Sequence, residues 1–271
     1  MSSRVRIPNV LTIAGVDPSG GAGVLADLKA FSALGAYGCG AIAALTAQNT
    51  RTVTGIHEVP PEFLKLQLDT LFDDVRIDAV KIGMLASREL IGVVAEALRR
   101  YAPPFVVLDP VMVAKSGDPL LAEDARQAIR DELLSLATVI TPNVFEAEAL
   151  LGRRIEDLDA MRDAARELMK FGCRWVVIKG GSLDIESRAV DVVCDGGEPI
   201  LLTSPRFESR NTQGTGCTFA SAIAAGLARG VAPLEAIKRA KEYVTEAIRS
   251  GPPIGSGHGP ANHLTGVHSK W

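Results

Sequence analysis

Runs of apolar, often β-branched residues recur along the chain as VLTIA, GAIAALT, AVKIGM, FVVLDP, TVITP, WVVIKGG and AVDVVCD, mostly separated by segments of helical period or turn residues. A strand that keeps one face in water alternates apolar with polar residues, whereas one buried on both faces reads as an unbroken apolar run. The intervening segments place helices near Val24 to Leu34, Pro61 to Phe72, Arg88 to Arg100, Glu123 to Leu136, Phe145 to Leu151, Ala160 to Phe171, Cys217 to Arg229 and Pro233 to Arg249. This alternation predicts an α/β fold, a mostly parallel sheet with helices on both faces. With 271 residues, no repeat and no linker-like stretch, the chain is expected to form one domain over 1–271, ending in an irregular tail from about 250 to 271. That tail, which contains GPPIGSGHGPANH, either covers an edge, reaches a partner subunit or frays.

Composition narrows the partners. Hydrophobic residues at 47% and charged residues at 23% exclude a disordered or fibrous chain. A net charge of -3 offers no general attraction to nucleic acid or an anionic membrane. No apolar run approaches the roughly 20 residues of a membrane helix, and the start lacks the pattern of a signal peptide. Cys39, Cys173, Cys194 and Cys217 form no CxxC pair and stand near no histidine cluster, so a reducing, cytoplasmic setting is expected. Three of them read as buried small hydrophobes; Cys217 has a different neighbourhood.

In open α/β sheets, ligands bind beyond the carboxyl ends of the strands. Several apolar runs end there in polar turns: Gly15 to Asp17, Asp109 with Pro110, Thr141 to Asn143 and Lys179 to Gly181. The strongest local signal is NTQGTGCTFASAIAAGLARG, Asn211 to Gly230. Gly214, Thr215 and Gly216 open an Ala-rich helix, leaving unpaired N–H groups and the positive dipole end around Cys217. Either an anion is held there, or the turn is a tight helix entry with close packing behind it. A second glycine-rich turn, LTIAGVDPSGGAG, joins strand to helix but carries Asp17 and no lysine. No GxxxxGK[ST] and no GxGxxG fingerprint occurs, which removes the main support for a P-loop NTPase or a dinucleotide-binding dehydrogenase.

TIAGVDPSGGAGVLADLKAFSALGAYG, AQNT (Ala47 to Thr50), KIGML (Lys81 to Leu85), LDPVMVAKSGDPLL (Leu108 to Leu121), TPNVFEAEAL (Thr141 to Leu150), VIKGG and NTQGTGCTF together resemble the hydroxymethylpyrimidine/phosphomethylpyrimidine kinases of the ribokinase-like superfamily, in order and over almost the whole chain. The resemblance implies a three-layer α/β/α sandwich, a homodimer and ATP with Mg²⁺. It also implies phosphorylation of 4-amino-5-hydroxymethyl-2-methylpyrimidine, first to the monophosphate and then to the diphosphate, in thiamine biosynthesis.

It further implies roles. The backbone of Gly214, Thr215, Gly216 and Cys217 would cradle the transferred phosphoryl group. Asn143 and Glu146 form the NxxE pattern, with Glu146 and Asp109 organising Mg²⁺, partly through water; Asn143, Lys179 and Gln213 fall to ATP and phosphate. Each has an ordinary alternative: a helix cap for Asn143, dipole pairing for Glu146, a turn cap for Asp109. Cys217 stands where sugar-kinase relatives carry an aspartate base; a helix N-terminus favours its thiolate, so it either takes the acceptor proton or shapes the pocket. Gln48 can pair with the amino group and a ring nitrogen of an aminopyrimidine. Gly15, Asp27, Met84 and Val111 match further pocket positions, although Met84 and Val111 can equally be core. The family usually carries histidine where this chain has Gln213. A neutral amide cannot take up a proton, so a charge-dependent role in the second transfer is weakened. Two other functions share much of the pattern: a pyridoxal kinase, against which Gln48 argues, and a non-catalytic pyrimidine sensor, against which the intact GTGC and NxxE segments argue.

Overall fold

A computed structural model describes residues 6–112, 123–181 and 188–267. Val113 to Leu121 of the LDPVMVAKSGDPLL block and the last residues of the tail lie outside the described residues. The strands are β1 (Asn9–Val16), β2 (Tyr37–Gln48), β3 (Val53–Glu58), β4 (Ala79–Ile82), β5 (Val106–Leu108), β6 (Val139–Ile140), β7 (Trp175–Ile178), β8 (Arg188–Cys194) and β9 (Ile200–Pro205). They form a nine-stranded sheet in the order β3-β2-β1-β4-β5-β6-β7-β8-β9. Pairing is parallel from β2 through β7, while β3, β8 and β9 run antiparallel to their neighbours.

The helices are α1 (Gly23–Ala33), α2 (Pro61–Asp74), α3 (Arg88–Tyr101), α4 (Glu123–Ala128), α5 (Val144–Leu151), α6 (Leu158–Met169), α7 (Thr215–Ala228) and α8 (Pro233–Arg249). The segment expected to be helical to Leu136 is α-helical only to Ala128 and continues as a π-turn and a 3₁₀ turn. Successive strand residues serve opposite cores, as a period of two requires. Val80, Ile82, Val106 and Leu108 face a core shared with Leu68 of α2, Val94 of α3 and Leu168 of α6. Ala79, Val107, Val139 and Val177 face the other core, with Phe31 of α1, Ile223 of α7 and Ile237 of α8. The result is three layers, α/β/α.

The antiparallel edge strands β3 and β9 are not signalled by the sequence. VTGIHE and ILLTSP are largely exposed or half-buried, so neither carries the unbroken apolar run that marks the interior strands. Of the three cysteines read as buried, Cys173 and Cys194 are; Cys39 is only half-buried, because it lies on β2 near an edge of the sheet.

The tail does not fray over its described length. His258 N–H donates to the Thr50 carbonyl at 2.7 Å, Gln213 N–H to the Gly259 carbonyl at 3.0 Å and Asn262 N–H to the Ala247 carbonyl at 2.9 Å. His263 is thereby 4% exposed, and among the described residues its Nε2 finds no hydrogen-bond partner. Burial, with the positive Lys29 nearby, pushes its pKa down from 6.5 to about 4. The unfolded chain therefore binds this proton near pH 6.5 and the folded chain only near pH 4. The stability from a neutral His263 is complete above pH 6.5 and declines as pH falls towards 4. His263→Gln is expected to flatten that part of a melting temperature against pH profile; an unchanged slope would assign the acid sensitivity to other groups.

Candidate active site

The order of parallel strands reverses beside β1, which has β2 on one side and β4 on the other, and crevices open at such points beyond the strand ends. A register shift between Ala14 and Gly15 marks the end of β1 at this crevice. A Cβ on Gly15 would lie 3.3 Å from Sδ of Met84, so these two predicted pocket residues are neighbours. Val111, half-buried just beyond β5, donates its N–H to the Asp109 carbonyl at 2.8 Å.

The two glycine-rich turns pack backbone to backbone. Gly214 has φ 72°, and a Cβ there would overlap the carbonyl oxygen of Gly21. Asp17 braces the first turn, accepting from Ser19 N–H at 2.9 Å, Ala22 N–H at 3.0 Å and Gln213 Nε2 at 2.7 Å. Gln213 also places Nε2 3.3 Å from Ser19 Oγ. The amide N–H groups of Gln213 are thus engaged inside the protein, and its Oε1, an acceptor, is buried with no partner among the described residues.

Asp109, Glu146 and Lys179 converge on α7 from β5, α5 and β7. Lys179 Nζ donates to Asp109 Oδ1 at 2.7 Å and lies 3.9 Å from Glu146 Oε2. Thr141 Oγ1 also donates to Asp109 Oδ1, at 3.0 Å. A Cβ on Gly216 would lie 3.1 Å from the Lys179 ammonium and 3.3 Å from Asp109 Oδ2, so the first turn of α7 closes over this cluster. Asn143 and Glu146 cap α5 reciprocally: Glu146 N–H donates to Asn143 Oδ1 at 2.9 Å, and Asn143 N–H to Glu146 Oε2 at 2.7 Å. The NxxE pattern thus holds Glu146 in place whatever else it does.

Burial, opposed by Lys179 and reinforced by Asp109, pushes the Glu146 carboxyl up to about 7. Burial alone would lower the Lys179 pKa, but Asp109 and Glu146 outweigh it and hold the ammonium above the usual lysine value. With both carboxylates ionised, one lysine leaves an excess negative charge where a phosphoryl group would have to sit. A divalent cation fits that imbalance. Among the described residues no group of three or more His, Cys, Asp or Glu could hold a metal ion.

Cys217 occupies the first turn of α7, half-buried, but not as the expected thiolate. Burial pushes its thiol up to about 11, and the pull of Lys81 in the other direction does not offset this. The helix dipole acts over one turn and does not overcome desolvation here. Gln48, at the end of β2, lines a small cleft with Asn49 to Val53, Gln213 and His258. Its Oε1 lies 3.1 Å from Thr46 Oγ1, which also reaches the Val16 carbonyl at 2.9 Å. One hydroxyl proton cannot serve both acceptors.

Asp27 is fully buried, with Oδ2 accepting from Thr12 and Lys81 and Oδ1 from Ser221. The signal for this network was present as a lysine inside AVKIG: a charge in an otherwise apolar interior strand requires a buried partner.

Fold and site together define a class, the small-molecule kinases of the ribokinase-like type. A family model described as phosphomethylpyrimidine kinase matches residues 17–262, and the chain belongs to that family. It is 49% identical over 256 residues to the hydroxymethylpyrimidine/phosphomethylpyrimidine kinase of Streptomyces coelicolor, covering 94% of each chain. It is also 52% identical to the thiamine biosynthesis bifunctional protein ThiED of Geobacter sulfurreducens over 94% of this chain, but spans only 52%, about half, of that relative. Among solved structures, a Bacillus subtilis pyridoxal kinase bound to ADP superimposes with a TM-score of 0.89 at 38% identity, over 95% of this chain and 98% of the other. The phosphomethylpyrimidine kinase of Clostridium difficile does so at 0.79 and 42%, over 89% and 99%. Among the described residues no helix is long and apolar enough to cross a membrane.

Proposed function

We propose that this protein uses ATP to phosphorylate 4-amino-5-hydroxymethyl-2-methylpyrimidine at its hydroxymethyl group, and then the resulting monophosphate, in thiamine biosynthesis. The observation that carries this reading is the closure of the α7 N-terminus over Lys179, Asp109 and Glu146, because phosphoryl transfer needs charge neutralisation and donors at one point. The similarity to kinases solved with ADP and AMP-PCP supports ATP as the donor. Mg²⁺, when bound by Asp109 and Glu146, supplies neutralisation of the phosphates. Lys179 steadies the two carboxylates and the migrating group, and the N–H groups at Gly214 to Cys217 receive its oxygens. Cys217 enters as a thiol and orients the acceptor hydroxyl; a largely dissociative transfer asks little of a base until charge has developed.

The whole chain is taken as one kinase domain, cytoplasmic and homodimeric. Exposed Leu45, Ile56, Phe63 and Leu66, on β2, β3 and α2, supply apolar surface for the second copy.

A pyridoxal reading draws on the close pyridoxal kinase structures, and Gln48 is the residue that argues against it. Its amide offers a donor and an acceptor to an aminopyrimidine edge. Gln48→Leu is expected to raise KM for the pyrimidine about 10- to 100-fold, since a site built for paired hydrogen bonds loses them together, with KM for ATP unchanged. The first test is Mg-ATP-dependent ADP release with the pyrimidine, its monophosphate and pyridoxal as acceptors. Release with the pyrimidine supports the proposal. A response to pyridoxal alone overturns the substrate, and pyrimidine binding without ADP release favours a sensor. Equal rates with the alcohol and its monophosphate would sink the idea that Gln213 weakens the second step.

A further inference from the structure

Behind the crevice, side chains from four elements meet in complete burial. Lys81 of β4, Asp27 of α1, Thr12 of β1 and Ser221 of α7 are each 0% exposed. Lys81 Nζ donates to Asp27 Oδ2 at 2.8 Å, Thr12 Oγ1 to the same oxygen at 2.6 Å and Ser221 Oγ to Asp27 Oδ1 at 2.8 Å. An ion pair this deep is a poor way to stabilise a fold, because desolvating two charges offsets most of their attraction, and well-packed neutral residues often do as well or better.

Its position gives it another use. Ser221 follows Cys217 by four positions on α7, hence on the same helix face, one turn below the thiol. Thr12 leads along β1 to Gly15. Lys81 leads along β4 to Met84 through Gly83, where a Cβ would lie 2.8 Å from the ammonium. Asp27 therefore ties together the elements that carry both glycine-rich turns, the strand leading to Met84 and the helix with the phosphoryl cradle.

We propose that the Lys81–Asp27 pair, through Ser221, is a positioning device for the transfer step: it fixes the rotation of α7 so that Cys217 and the first-turn N–H groups face the acceptor. Both side chains are fully buried, so the pair acts through the elements it joins. This inference rests on the kinase reading above. Its effect is in kcat, because a displacement of about 1 Å in such a cradle is enough to cost about 100-fold in rate.

The test compares Asp27→Asn, Lys81→Met, the double variant Asp27→Asn with Lys81→Met, and Ser221→Ala. Each single charge variant leaves an unpaired buried group and is expected to lose melting temperature. The double variant removes both charges and is expected to recover most of that loss while kcat stays at least about 30-fold below wild type, with both KM values within about threefold. Recovery of kcat together with melting temperature would make the pair purely structural and overturn the proposal. Ser221→Ala keeps the pair and cuts only its link to α7; kcat should fall about tenfold at near-normal stability, and an unchanged kcat also overturns it. Turnover is read with whichever acceptor the wild-type protein uses, or as ATP hydrolysis in water if none serves. A wrong acceptor and a wrong role for the pair then give different results.

Discussion

Gly214→Ala is expected to lower kcat/KM by about 100-fold or more, comparable to losing a donor from a preorganised oxyanion site. Two costs coincide at this residue. Its φ of 72° is left-handed, which penalises any L side chain by about 1–2 kcal/mol. Its Cβ would also overlap the carbonyl oxygen of Gly21, and that neighbour is backbone, so it cannot swing aside. The two glycine-rich turns must separate, carrying the first N–H groups of α7 away from the Lys179 cluster. Gly230→Ala is the matched control: its φ is 81°, but nothing lies within 4 Å of the added carbon. It should lose stability from backbone strain and keep its turnover. Equal activity losses in the two variants would show that strain alone, not the meeting of the turns, is responsible.

The second large effect is expected at Lys179→Met, with kcat falling about 10³-fold. Lys179 is the cation between Asp109 at 2.7 Å and Glu146 at 3.9 Å, and the first turn of α7 closes against it. Without it, two carboxylates face an incoming phosphoryl group, and a clamp of fixed charge on that group is worth several kcal/mol in phosphoryl transfer. Removing one partner of a buried pair also destabilises by about 3–5 kcal/mol, so the melting temperature should drop as well. The separating measurement is kcat on the folded fraction at a temperature well below the transition. Lys179→Arg restores charge but not shape, and is expected to recover stability more than turnover. If Lys179→Met turns over normally once folded, the lysine is only a strut.

Much of this molecule can be read from its sequence, for identifiable reasons. Interior strands such as AVKIG and WVVI announce themselves because burial on both faces demands unbroken apolar runs. The exposed edge strands β3 and β9 lack that demand and pass for loops. Asp109 and Lys179 could be picked out because each sits just past a strand end, and Glu146 because Asn143 and Glu146 resemble the NxxE pattern of a known family. Two contacts lay beyond the reach of local sequence: Ser221 is 194 residues from Asp27 along the chain, and Asp17 is 196 from Gln213. Spacing within a segment carries no trace of such partners. Cys217 shows the other limit, since a helix start is visible in the sequence but the burial that outweighs it is not.

The seam at Gln213 has a bearing on biosynthesis. It joins Asp17 and Ser19, near the start, to Gly259 and Ala261, near the end, through one residue. A ribosome making about 5–20 residues per second leaves the first glycine-rich turn waiting tens of seconds for the segment that locks it. During that interval β1, β2 and α1 can pair, because their contacts are local. The crevice they border stays open on the side that the tail will close, so a nascent chain is folded in its sheet before it is competent at its site.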